Sequence, residues 1–158
     1  MDWELILRWL HVIGACVLFG TGAGIAFFML LAHRTGRAAI IAHTAGVVVI
    51  ADILFTAMAA IAQPATGIAL AYMTGWGLWE GWVVLSIGLY LLVGACWLPV
   101  VRIQMRMRNL ARTAEAAGAD LSPAYHRLFA IWIRLGAPAF LAMLAIIWLM
   151  LARPDLSV

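Results

Sequence analysis

The sequence predicts an all-α, polytopic membrane protein: a four-transmembrane-helix bundle in a single domain, residues 1–158, whose second helical element is kinked or interrupted. Three observations carry this. Of 158 residues, 66% are hydrophobic and 11% charged, whereas a soluble domain is about half apolar and a quarter charged. Long apolar runs recur along the chain, each with at least the ~20 residues a helix needs to cross a bilayer. The arginines then gather in alternate connections, as topogenic charges do.

The first element runs from about Leu5 to Leu31 and ends at "AHRTGR". Its start, "MDWELILRWL", is acidic before it is apolar, unlike the basic start of a secretory signal, so a retained helix is expected. The second begins near Ala38 and continues to about Tyr72. At 1.5 Å per residue it is longer than a ~30 Å core requires. Pro64 is the expected kink or end, since it lacks an amide hydrogen and crowds the preceding turn. Either residues 38–63 span and "PATGIALAYMTGW" lies at the interface, or the span starts later and passes through Pro64. The third element covers about Leu78 to Val101, and "VRIQMRMRNLARTAEAAG" reads as its extension beyond the membrane, stopped at Gly118. The basic character of that extension suits anionic headgroups. The fourth begins at "SPAYHRLF", where Ser122 can cap and Pro123 fits the first turn, and ends before "ARPDLSV".

All ten basic residues are arginine, and the net charge is +3. Arg34 and Arg37 follow the first element; Arg102, Arg106, Arg108 and Arg112 follow the third, with Arg127 just beyond. The opposite side holds Arg8 and Arg153 among Asp2, Glu4, Glu80 and Asp155. The positive-inside rule therefore places both arginine-rich connections in the cytoplasm and both termini outside a bacterial inner membrane. This topological pattern explains the positive charge without nucleic acid. Trp3, Trp9, Trp76, Trp79, Trp82 and Trp148 collect at the outer boundary, where indole is favoured. Cys16 and Cys96 lie inside apolar spans at different depths and read as small buried hydrophobes, not a disulfide. No inverted repeat, HExxH, phosphate loop or GxSxG is present.

His11 is the first candidate site residue, because an ionisable group inside a span is costly and usually functional. It shares a helical face with Gly14, Ala15, Leu18, Gly22 and Ile25. Small neighbours give clearance for a flat porphyrin, and imidazole is a standard haem ligand. Gly20 and Gly24 form a GxxxG, a pattern of close helix packing. His43 and His126 lie near the cytoplasmic boundary on the second and fourth elements and would share a ligand if those helices were neighbours. His33 reads as solvated. Met58 and Met73 are possible sixth ligands. Asp52 and Arg134 are the most buried acid and base by position, and mutual pairing is the economical expectation. Arg134 would otherwise suit a haem propionate.

"LRWLHVIGACVLFGTGAG", "ADILFTAMAAIAQPATGIAL", "WLPVVRIQMRMRNLA" and "WLMLARP", taken in order, resemble a family of bacterial predicted integral membrane proteins of unknown function. That resemblance implies a four-helix membrane fold and covers nearly the whole chain. "LRWLHVIGA" is also similar to the first helix of the HemJ-type, haem-associated protoporphyrinogen oxidases and of the membrane portion of PuuD proteins. The HemJ-type resemblance implies an essential histidine at His11. The lysine that accompanies it in that family has no counterpart, since this chain contains no lysine.

The expected function is b-type haem binding in electron transfer. His11 and His126 are the candidate iron ligands, and His43, Gly14 and Arg134 are further cofactor residues. The alternatives are an accessory subunit of a larger membrane complex, or a homo-oligomer, joined through Gly20 and Gly24, and a small-solute or metal-ion permease lined by Asp52 and His11.

Overall fold

The structure, a computed structural model, describes residues 2–156. Helix α1 spans Trp3–Arg34, and the Asp2 side chain caps it by accepting from the Leu5 amide at 3.2 Å. The second element is continuous: α2 (Ala38–Ala51), a π-helical turn (Asp52–Thr56) and α3 (Ala57–Thr74) follow without a break. Helix α4 spans Gly81–Ala116 and α5 spans Pro123–Ala152. These make four apolar helical units long enough to cross a membrane. Short connections force antiparallel neighbours, so both ends of the described chain lie at the tryptophan-rich end of the bundle.

The irregularity in the second element is not where Pro64 predicts it. The helix runs through Pro64, and the disturbed turn lies three turns earlier, at Asp52–Thr56. A helical proline leaves the carbonyl four residues back without its amide. Here that carbonyl belongs to Ala60, and the Tyr90 hydroxyl of α4 donates to it. A side chain from the neighbouring helix thus replaces the missing backbone bond, and the helix need not end.

Other expected boundaries hold. Gly118, at φ 58°, follows the C-cap of α4 in the left-handed region that a side chain disfavours. Ser122 caps α5 by accepting from the Tyr125 amide at 3.3 Å, with Pro123 in the first turn.

The main buried core lies in the arginine-rich half, where Met29, Ile41, Ala45, Met107, Tyr125 and Phe129 bring all the long helices except α3 together. At the tryptophan-rich end a small cluster of Trp82, Val83 and Leu149 joins α4 to α5 only. Arg153 stacks over Trp76 and Trp82 at 5.4 and 6.0 Å, fastening the end of α5 to the hairpin before α4. Helices α1 and α3 are joined there by polar groups instead. The bundle therefore opens from one four-helix core into two helix pairs, which meet between Phe19 and Phe140 at 5.1 Å and at Tyr90 and Ala60.

Candidate functional site

The polar clamp between α1 and α3 is built around His11. Its Nδ1 lies 2.8 Å from Thr66 Oγ1. That hydroxyl also lies 2.8 Å from the Ala62 carbonyl and 3.2 Å from that of Gln63 in its own helix. With its one proton donated there, Thr66 accepts from His11, Nδ1 carries the imidazole proton and Nε2 keeps a lone pair; the other tautomer has Thr66 donating to Nδ1. Among the described residues Nε2 makes no hydrogen bond. A histidine with one ring nitrogen held by a second residue and the other without a partner is the usual arrangement of a metal-ligating imidazole.

Two glycines let the helices come this close. The imidazole lies over Gly67, where an added Cβ would stand 3.2 Å from His11 Cε1. On the other helix, the Gln63 amide occupies the space beside Gly14 and donates to the His11 carbonyl at 2.7 Å. Gly14 does supply clearance, as its position beside His11 predicts, but the neighbouring helix fills it. The clearance expected there for a porphyrin edge is therefore taken. Gly20 and Gly22 have no atom within 4 Å of where a Cβ would be, and Gly24 approaches only Phe28 of its own helix. Among the described residues, the GxxxG glycines meet no other helix.

The remaining predicted residues are placed differently from expectation. Asp52 and Arg134 do not pair: Asp52 is buried, Arg134 is exposed, and the ion pair among the described residues is Arg8–Glu4. The α5 helix turns Arg134 outward, while Asp52 faces α4 and accepts from Trp97 Nε1 at 3.3 Å. His43 and His126 share no site, because α2 packs on α4, not on α5. His43 instead lines an open cleft of about 430 Å³ with Arg108, Arg112 and Glu115. His126 meets His33 of α1 at 5.8 Å between ring centroids. His33 is not simply solvated: it stacks on Phe129 at 3.7 Å and its Nδ1 lies 3.3 Å from the Tyr125 hydroxyl. Met58 and Met73 are exposed. Cys16 is exposed, Cys96 is buried, and both are free.

A family model described as a predicted integral membrane protein, DUF2269, matches residues 5–154. The chain belongs to this family. No curated protein and no solved structure matches it.

The residues that sequence reasoning missed are Thr56, Gln63, Thr66, Gly67, Trp97 and Gln104. A signal for three of them was present, in line with Asp52. Asp52, Thr56, Gln63 and Thr66 recur at helical three-and-four spacing along one otherwise apolar element. That pattern marks a polar stripe on a membrane helix, where polar residues face protein rather than lipid.

Proposed function

We propose that this membrane protein binds b-type haem through His11 and serves in electron transfer. The observation that supports it is the His11–Thr66 hydrogen bond, which holds the ring by Nδ1 and leaves Nε2 without a partner among the described residues. The site lies about 12 Å below the end of α1, at 1.5 Å per residue, between α1 and α3. Bound haem would supply one-electron chemistry, with the protein setting ligation and polarity. His11 would be the iron ligand and Thr66 would orient it. Arg8, one turn nearer the helix end, is the basic group at the right level for a propionate; Arg134 belongs to the other half of the bundle. Since His43 and His126 also lie in that other half, this chain would supply one histidine to the iron.

By the arginine distribution the arginine-rich end faces the cytoplasm of a bacterial inner membrane, with both termini outside. Proteolysis of terminal tags in intact spheroplasts tests this; protected tags refute it.

The deciding experiment is an absorption spectrum of detergent-purified protein from haem-replete cells, oxidised and then reduced with dithionite. A Soret band that shifts on reduction is expected. His11→Ala should remove it, and Thr66→Val should weaken haem retention about 10–100-fold, the usual effect of losing a ligand's orienting partner. A featureless visible spectrum refutes the proposal.

A second reading has its own support in the unpacked Gly20–Gly24 face, which suits close approach of another helix. An accessory subunit would be colourless, and Gly20→Leu would release its partner while leaving the monomer folded.

A further inference from the structure

A second polar site lies about 21 Å along the second element from Ala38, at 1.5 Å per residue, and is independent of His11. It centres on Asp52, at the start of the π-helical turn. The carboxyl is bordered by Thr56 of the same turn and by Trp97 and Gln104 of α4. All three oxygen-bearing members are at least nine-tenths buried: Asp52 is 3% exposed, Thr56 8% and Gln104 1%. Trp97 satisfies Asp52 Oδ1. Asp52 Oδ2, Thr56 Oγ1 and Gln104 Oε1 have no partner at all.

Such a cluster needs an explanation, since an unpartnered buried polar atom costs about 1–3 kcal/mol. Four other helical hydroxyls in this chain show the bond that Thr56 forgoes. Thr66, Thr74, Ser86 and Thr113 each donate to the carbonyl four residues back. For Thr56 that carbonyl is Asp52's own; in the π-turn it accepts from the Ala57 amide, and the Thr56 hydroxyl does not reach it. The widened turn therefore frees a hydroxyl beside a carboxyl, and π-turns inside α-helices are frequent at functional sites.

All three orphaned atoms can accept, and the Thr56 hydroxyl also carries a proton of its own. The carboxylate and the amide oxygen lack positive charge or a further proton. Among the described residues no cation supplies it: Arg102 and Arg106 on α4 and Arg134 on α5 are exposed and form no ion pair. From α1, residues 18–25 carry no titratable group; α2 and α3 offer no other charge. On α4 the remaining titratable side chains at this level are Cys96, which is buried and free, and Tyr90, whose hydroxyl is engaged with Ala60. Trp132 Nε1 on α5 is also unpartnered, but it is a donor and cannot serve a cation.

We propose that Asp52, Thr56 and Gln104 form a mid-membrane site that holds one monovalent cation, delivered as a sodium ion or as a proton. Carboxylate, hydroxyl and amide oxygens are the hard ligands an alkali cation takes. A proton on Oδ2 would equally turn Asp52 into the donor that Gln104 Oε1 lacks.

The test uses the full-length chain in detergent. Its thermal midpoint is followed as sodium chloride replaces choline chloride at constant ionic strength. Infrared spectra then record the carbonyl stretch of protonated carboxyl groups across neutral and alkaline pH. A saturable rise of the midpoint with sodium, absent in Asp52→Asn, establishes the sodium form. No sodium effect, with a carbonyl band that Asp52→Asn lacks and that alkaline pH removes, establishes the proton form. If Asp52→Asn does not fold, Thr56→Val and Gln104→Leu replace it. Each should raise the sodium concentration for half effect at least about tenfold by removing a ligand, or shift the pH at which the band vanishes. Neither a sodium effect nor such a band overturns the proposal and leaves a resident water as the only occupant.

Discussion

Replacing Gly14 by alanine probes the close approach of α1 and α3 directly. An alanine Cβ would overlap the Gln63 amide, which is only 9% exposed and donates to the His11 carbonyl at 2.7 Å. The amide ends a flexible side chain, so it can swing away, but only by giving up that bond. A buried amide left without a partner costs about 1–3 kcal/mol, and such bonds between membrane helices measure nearer the low end. Against this, alanine gains about 1 kcal/mol over glycine in helix propensity. Gly20→Ala collects the gain alone, because nothing lies within 4 Å of its Cβ position. Gly14→Ala should therefore be less stable than Gly20→Ala by about 1–3 kcal/mol, measured by reversible unfolding in mixed detergent–SDS micelles. In a Gln63→Ala background the amide is gone and the difference should vanish. Equal stability of the two alanine variants, or a difference that persists without Gln63, would refute this account of the clamp.

Two further outcomes follow from contacts elsewhere. Tyr90→Phe should cost about 1 kcal/mol by leaving the Ala60 carbonyl unserved, and less in a Pro64→Ala background, where residue 64 regains an amide to bond it; equal costs in both backgrounds would contradict the replacement of a backbone bond by Tyr90. His33→Phe keeps a ring on Phe129 and should cost at most about 1 kcal/mol, the value of the Tyr125 hydrogen bond, whereas His33→Ala also removes the stack and should lower the thermal midpoint further; no difference between them would mean that the stacking at 3.7 Å contributes nothing.

The four helical units and most boundaries were legible in the sequence because they depend on local quantities. Run length and hydropathy mark the spans, Ser122 and Pro123 mark a start, and Gly118 marks a stop, each acting within a turn or two of the backbone. His11 was legible as a candidate for the same reason: a titratable group in an apolar run stands out without knowing its neighbours. The identities of the partners were not legible. Asp52 and Arg134 looked complementary as a list of charges, yet helix rotation turns one inward and the other outward. Pro64 looked like a break, yet Tyr90, 26 residues further along the chain, completes the turn that proline leaves open. His33 and His126 meet because α1 and α5 come together at the arginine-rich end, while His43 faces a different helix. Local chemistry fixes where a membrane helix begins, ends and carries its polar groups. Which of those groups touch depends on the rotation and order of whole helices, set by packing contacts far apart in the chain, and only the tertiary structure decides it.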